Sequence, residues 1–272
     1  MNWLNKERII LMTNVLLEIQ YDGTHFSGWQ RQLNARTVQG EIEKVLSTLC
    51  LQKIDVYGTS RTDAGVHAYM QGVSFKGDFA IPVNKIKKAA NGLLPDDIYI
   101  RKAIEVDEDF HARFSSVGKT YQYKILNTQE KDIFSRNYYY NICKPLDLEM
   151  MKEAGACFVG THNFITFMSS KSQVENTIRT IYSLNIQEEI IKHPQQGRLL
   201  IIEVTGKSFL YNMVRIMAGT LIDVGLGKIK ANEINDIILS KDRWRARHTA
   251  PAKGLYLKKI YFDEIELKEK IK

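Results

Sequence analysis

Residues 14–21 are rich in β-branched and apolar side chains, and the run stops at Asp22-Gly23, a turn pair, so the pattern predicts a strand. The period then changes. Val38, Ile42, Val45, Leu46 and Leu49 recur at helical spacing behind Thr37, whose hydroxyl suits an N-cap. Residues 53–57 read as a short strand and residues 66–75 as a longer one, with a polar loop between them. Pro82 suits the first turn of a helix carrying Val83, Ile86 and Ala90. That helix stops near Asn91-Gly92, and residues 98–106 give a last strand. The order β-α-β-β-α-β is that of the ferredoxin-like unit.

The same order recurs with larger insertions. Residues 119–126 alternate as a strand, and Leu148, Met151 and Ala154 mark one face of a helix ending near Cys157. Residues 178–187 and 199–205 read as strands separated by a polar turn around Pro194 and Gly197. A long apolar helix over 209–224, a shorter one over 232–239 and a strand over 255–262 complete the pattern. The predicted class is α+β, with two ferredoxin-like domains whose antiparallel sheets are joined side by side. The expected domains are residues 13–115 and 116–272, joined near Phe114 and Gly118 without a Pro/Gly/Ser-rich linker. Residues 1–12 are expected to form a disordered extension, with Met12 an alternative start.

Composition narrows the setting. A chain of 272 residues buries roughly 70–75% of its unfolded surface, so it needs no disulfide or metal to fold. Apolar residues make up 44% and charged residues 25%, as in soluble globular proteins, and no apolar run is long enough to span a membrane. Cys50 and Cys157 fall on apolar helical faces and Cys143 stands apart, which predicts inert thiols in a reducing cytoplasm. The formal net charge is +7. Arg31, Arg36 and Arg61 flank loops, Lys85, Lys87 and Lys88 share one helix, and Arg243-Trp-Arg-Ala-Arg-His248 interleaves bases with an aromatic. Such clusters lean toward a phosphate backbone.

Several chemistries are poorly supported. Histidines occur singly, and neither a Cys-x-x-Cys pair, a glycine-rich phosphate loop nor a Gly-x-Ser-x-Gly elbow is present. No metal and no cofactor are therefore expected. Asp96-Asp97 is better explained by a turn after Pro95. What remains is Asp63, in the polar loop Gly58-Thr-Ser-Arg-Thr-Asp-Ala-Gly-Val-His-Ala68. Asp and Gly are also ordinary turn-formers. A lone carboxylate can act as nucleophile or base if an Arg keeps it ionised and oriented. Arg215 is the candidate partner, the single charge in Phe209-Leu-Tyr-Asn-Met-Val-Arg-Ile-Met-Ala-Gly219. A snorkelling Arg would also fit there, but a buried one needs a carboxylate. Tyr121 and Tyr123 share one strand face, as base-stacking rings or as core aromatics.

Arg61-Thr-Asp-Ala-Gly-Val-His67 resembles the catalytic-loop signature of the tRNA pseudouridine synthase A family. The resemblance runs from about Asn14 to Phe262. It includes Tyr21-Asp-Gly-Thr-His-Phe-Ser-Gly-Trp-Gln-Arg31, Thr37-Val-Gln-Gly-Glu41 and Phe110-His-Ala-Arg113. It also includes Lys119-Thr-Tyr-Gln-Tyr123, the stretch around Arg215, and Ala250-Pro-Ala-Lys-Gly-Leu-Tyr-Leu257. Ser60 replaces a common glycine, and Asn163 a usual aspartate. The resemblance implies isomerisation of uridine to pseudouridine at positions 38 to 40 of the tRNA anticodon stem-loop, without metal or cofactor. It matches Asp63 to the essential aspartate, Arg215 to its partner and Tyr121 to the base-stacking tyrosine. Leu255 matches the apolar wall of the pocket, and Arg61 the residue filling the gap of the flipped uridine. It further implies a homodimer holding tRNA across a basic cleft, with no membrane partner. The rival readings are a non-catalytic RNA-binding protein and a synthase redirected to ribosomal RNA.

Overall fold

The computed structural model describes residues 12–172, 174–191 and 196–271. Strand β1 (Thr13–Tyr21) sends Val15, Leu17, Ile19 and Tyr21 into the core. Thr37 caps helix α1 (Val38–Cys50), its hydroxyl accepting from Gly40 N at 3.3 Å. Strand β2 is only Tyr57–Gly58, shorter than the alternation predicts. The amides before it bond to helix side chains instead of a neighbouring strand. Ile54 N donates to Ser47 Oγ at 2.9 Å and Val56 N to Glu43 Oε1 at 3.2 Å. Strand β3 (His67–Gly77), helix α2 (Val83–Asn91) and strand β4 (Ile98–Glu105) complete the first half, with Pro82 at the N-cap of α2.

The second half opens with β5 (Gly118–Thr128), β6 (Tyr140–Ile142), α3 (Leu148–Ala156) and β7 (Gly160–Asn163). It continues through β8 (Ile178–Ile191), β9 (Gly197–Gly206), α4 (Met213–Gly225), α5 (Ile234–Leu239), β10 (Leu255–Tyr261) and α6 (Glu264–Ile271). Strands β6 and β7 and helix α6 were not anticipated by the periodicity. Helix α4 begins at Met213 rather than at 209, because Asn212 adopts a left-handed φ of 62° that a helix cannot continue through. The predicted helix over 232–239 is a 3₁₀ turn, Ala231–Glu233, followed by α5. The Pro194 turn and residues 1–11 of the expected extension lie outside the described residues.

One sheet joins the elements into a mixed α/β fold with six helices among the described residues. Its order is β4-β1-β3-β10-β5-β9-β8-β7, with β2 on β3 and β6 on β5. The final strand therefore sits in the middle. β10 runs parallel to β3 through Tyr256↔His67 and Leu257↔Ala68, and antiparallel to β5. One apolar cluster passes under this seam, from Phe75 and Tyr21 to Tyr123 and Leu257. Fully burying a side chain such as Phe75 or Leu257 contributes about 1.5–3 kcal/mol, so the seam is held by packing as well as by its ladder. Cys50 is buried, but Cys157 is only half-buried because it ends α3 rather than facing inward along it. Among the described residues no helix is long and apolar enough to cross a membrane.

Candidate active site

The loop after β2 is fastened on two sides. From below, Ser60 N donates to Gln71 Oε1 at 3.2 Å, Gln71 Nε2 returns a bond to Ser60 O, and Thr62 Oγ1 meets the Tyr21 hydroxyl at 2.7 Å. From the side, Trp29 N donates to Thr62 O at 3.0 Å and Gly65 N to Phe26 O at 3.3 Å. This second clamp requires glycine at 28, where φ is +98° and a Cβ would lie 2.8 Å from Thr62 O. His67, the last residue of the loop motif, is structural. Its Nδ1 accepts from Gly23 N at 3.1 Å and its Nε2 faces Asn137 O at 3.0 Å. Nδ1 also lies 3.1 Å from Asp22 Oδ1, and burial lowers the pKa of the ring while the Asp22 charge partly offsets it.

Asp63 projects from this clamped loop to Arg215 of α4. Arg215 Nη1 lies 3.0 Å from Asp63 Oδ2, and the two side chains are 18% and 17% exposed. The same nitrogen donates to Asn212 Oδ1 at 2.8 Å, and Nε donates to Ala250 O at 2.9 Å. The backbone of Ala250 returns a bond to Arg215 O at 3.1 Å, where Gly219 admits the strap formed by residues 248–250. The guanidinium is thus fixed by three acceptors. Asp63 Oδ1 accepts no hydrogen bond from the described residues. Burial pushes the Asp63 carboxyl above the usual carboxylate range, and the Arg215 bond and charge only partly offset it.

Tyr121 lies on β5 beside this pair, 8% exposed, its ring edge-on to Phe209 at 5.1 Å between centroids. Burial pushes its hydroxyl up to about 12, Ser60 lowering it and the Asp63 charge raising it. Leu255 starts β10, buried, and pairs with Tyr123; the residue directly across from Tyr121 is Leu257. Asp63, Arg215 and Tyr121 therefore come together, with Leu255 on the neighbouring strand. Arg61 does not join them. It is exposed on the other flank of the loop, lining a groove with Tyr57, His111 and Phe114.

Two positions escaped the sequence reading. Lys119 donates to Ser60 Oγ at 2.7 Å and to Thr59 O at 3.3 Å, and its burial pulls its pKa down to about 8. A lysine opening an otherwise apolar alternation was the available signal. Gly28 carried no signal in a single sequence. The charge reading also needs amendment. Arg31 is paired with Glu43 at 2.7 Å, and Arg36 grips Asp97 with two bonds of 2.7 and 2.9 Å, so both are neutralised within the protein.

A family model described as tRNA pseudouridine synthase matches residues 18–115 and 154–263. The chain is 46% identical over 251 residues to the tRNA pseudouridine synthase A of Acetivibrio thermocellus, covering 92% of this chain and all of that one. It is 45% identical over 251 residues to that of Clostridium acetobutylicum, with the same coverage. It is 44% identical over 253 residues to that of Staphylococcus aureus, covering 93% of each.

Proposed function

This chain belongs to the tRNA pseudouridine synthase family, a family of RNA-modifying isomerases, and we propose that Asp63 is its catalytic carboxylate. The proposed targets are uridines at positions 38 to 40 of the anticodon stem-loop. The observation that carries the reading is the clamped Asp63 with one oxygen bonded to Arg215 and the other unbonded, beside Tyr121. Such a carboxylate is oriented before substrate arrives, and its partial burial makes it a stronger base and nucleophile than one in water.

In the proposed reaction the N1–C1′ bond breaks, the base turns in place, and C5 bonds to C1′. The C5 proton leaves, N1 gains one, and no electrons are exchanged with any co-reactant. Asp63 would open this sequence by attacking C1′, by adding to C6 or by removing a ribose proton. Arg215 orients the carboxylate. Tyr121 stacks on the base and Leu255 supplies an apolar wall. Arg61 fills the gap that the flipped nucleotide leaves, which helps offset the few kcal/mol, roughly, that extrusion costs.

The proposal extends to architecture and setting. Residues 13–115 and 116–272 are read as two ferredoxin-like domains, supported by the matching strand orders β4-β1-β3-β2 and β10-β5-β9-β8. The protein is read as a cytoplasmic homodimer, and three free cysteines support the reducing setting. The test is tritium release from transcripts labelled at uridine C5. Native protein should release it from positions 38 to 40 and Asp63→Asn should not. Release at the native rate by Asp63→Asn would remove Asp63 from the mechanism, and release only from ribosomal RNA would move the target.

A further inference from the structure

On the flank of the loop away from Arg215, a groove of about 530 Å³ runs past Arg61. Three rings line it in sequence. Tyr57 and His111 lie 4.9 Å apart between centroids, and His111 and Phe114 lie 4.6 Å apart. Phe114 is 75% exposed and Tyr57 52%. The Arg113 guanidinium rests over the Phe114 ring at 5.5 Å. The two carboxylates of the groove, Glu43 and Asp55, are answered by Arg31 at 2.7 and 3.4 Å and by Lys53 at 3.6 Å. No carboxylate answers Arg61 or Arg113 among the described residues, so the groove keeps a cationic excess.

This surface is built rather than incidental. The segment bearing the rings is tied down at the fully buried Ala112, whose amide donates to Ser74 Oγ at 3.0 Å. Thr59, at the start of the Asp63 loop, donates to Ala112 O at 3.1 Å. The rings, the two free guanidiniums and Asp63 therefore share one rigid support. Exposed rings beside unpaired guanidiniums are what an unstacked base and its phosphate require.

We propose that this groove is a second nucleotide subsite. An unpaired base of the RNA substrate, next in the strand to the nucleotide at Asp63, stacks on Tyr57, His111 and Phe114 while its phosphate meets Arg113. The inference rests on the synthase reading above for the identity of the RNA. It goes beyond that reading by giving the strand a path along one flank of the loop.

The test uses the full chain and a tRNA transcript carrying tritium at uridine C5, with binding read in parallel by fluorescence anisotropy of the end-labelled transcript. Phe114→Ala and Tyr57→Ala should each weaken binding and raise KM by at least about 5-fold, the low end for one lost base–aromatic stack. Their kcat should stay native, and Phe114→Trp should restore affinity. Arg113→Gln should flatten the slope of log affinity against log salt by about one unit. Native affinity and native KM in both alanine variants, with the native protein active, would overturn the subsite and leave the synthase reading intact. If native protein released no tritium, the synthase reading would fail. The binding arm, which needs no turnover, would still decide the groove.

Discussion

Replacing Arg215 by methionine removes the one group that answers the Asp63 charge among the described residues, while filling much of the same volume. Three bonds are lost, to Asp63, Asn212 and the Ala250 carbonyl. Breaking a buried ion pair from one side costs about 3–5 kcal/mol. Here both side chains keep nearly a fifth of their surface in solvent, and the orphaned carboxyl can take up a proton, so the low end of about 3 kcal/mol is expected. At roughly 2–4 °C per kcal/mol for a chain of this size, Tm should fall by about 6–12 °C. The sharper readout is the pH profile. Burial already holds the Asp63 carboxyl above its usual range, and Arg215 is the opposing influence. Without Arg215 that pKa must rise further, so the acid limb of kcat/KM for tritium release should move to higher pH. Activity lost at neutral pH should partly return in alkaline buffer. Arg215→Lys, with one nitrogen in place of a fork, should fall between. An acid limb unmoved in Arg215→Met despite the lower Tm would show that Arg215 supports the fold without governing Asp63.

Asp63→Asn should abolish tritium release and keep tRNA affinity, and its Tm relative to native protein should climb with pH. The raised folded pKa means that the folded chain binds the proton more tightly, so ionising Asp63 costs stability as pH climbs through that window. The Tm of native protein relative to Asp63→Asn should therefore fall as pH rises through that window, and a difference constant with pH would contradict it. Gly28→Ala places a Cβ against Thr62 O at a positive φ, so about 1–3 kcal/mol of stability and much of kcat should be lost; native Tm and kcat would mean that the loop yields freely. Lys119, held near pKa 8 against the ordinary 10.5, binds fewer protons folded than unfolded between those values. The Tm of native protein relative to Lys119→Met should thus rise from pH 8 to 10.5, and a flat difference would refute the burial account.

Alternation along the chain reports which side chains are buried more faithfully than which strands pair. Ile54 and Val56 are buried as their spacing requires, yet their amides go to Ser47 and Glu43, and no strand forms there. Arg215 was legible because a lone charge in an apolar segment demands a partner. The partner is 152 positions away, and periodicity is blind to contacts of that range. The same blindness hid Lys119 under Ser60 and Gly28 against Thr62, which matter through what another loop brings to them. It also let Arg31 and Arg36 read as free cations when acids on other elements already neutralise them. Family resemblance supplied the residue roles that spacing alone left open.

The central place of β10 has a consequence for synthesis on the ribosome. Strand β3 waits for a neighbour that lies roughly 190 residues downstream, and translation at about 5–20 residues per second makes that delay about 10–40 s. Through that interval the β3 backbone at His67 and Ala68 is an unpaired edge, the kind of edge that recruits stray strands. Asp63 is made early, but the helix bearing Arg215 and the strand that closes the sheet emerge late. A half-made chain therefore carries an unanswered carboxylate on an open sheet, so activity begins only near the end of translation, and the β3 edge is where a stalled chain is most exposed to aggregation or to chaperone capture.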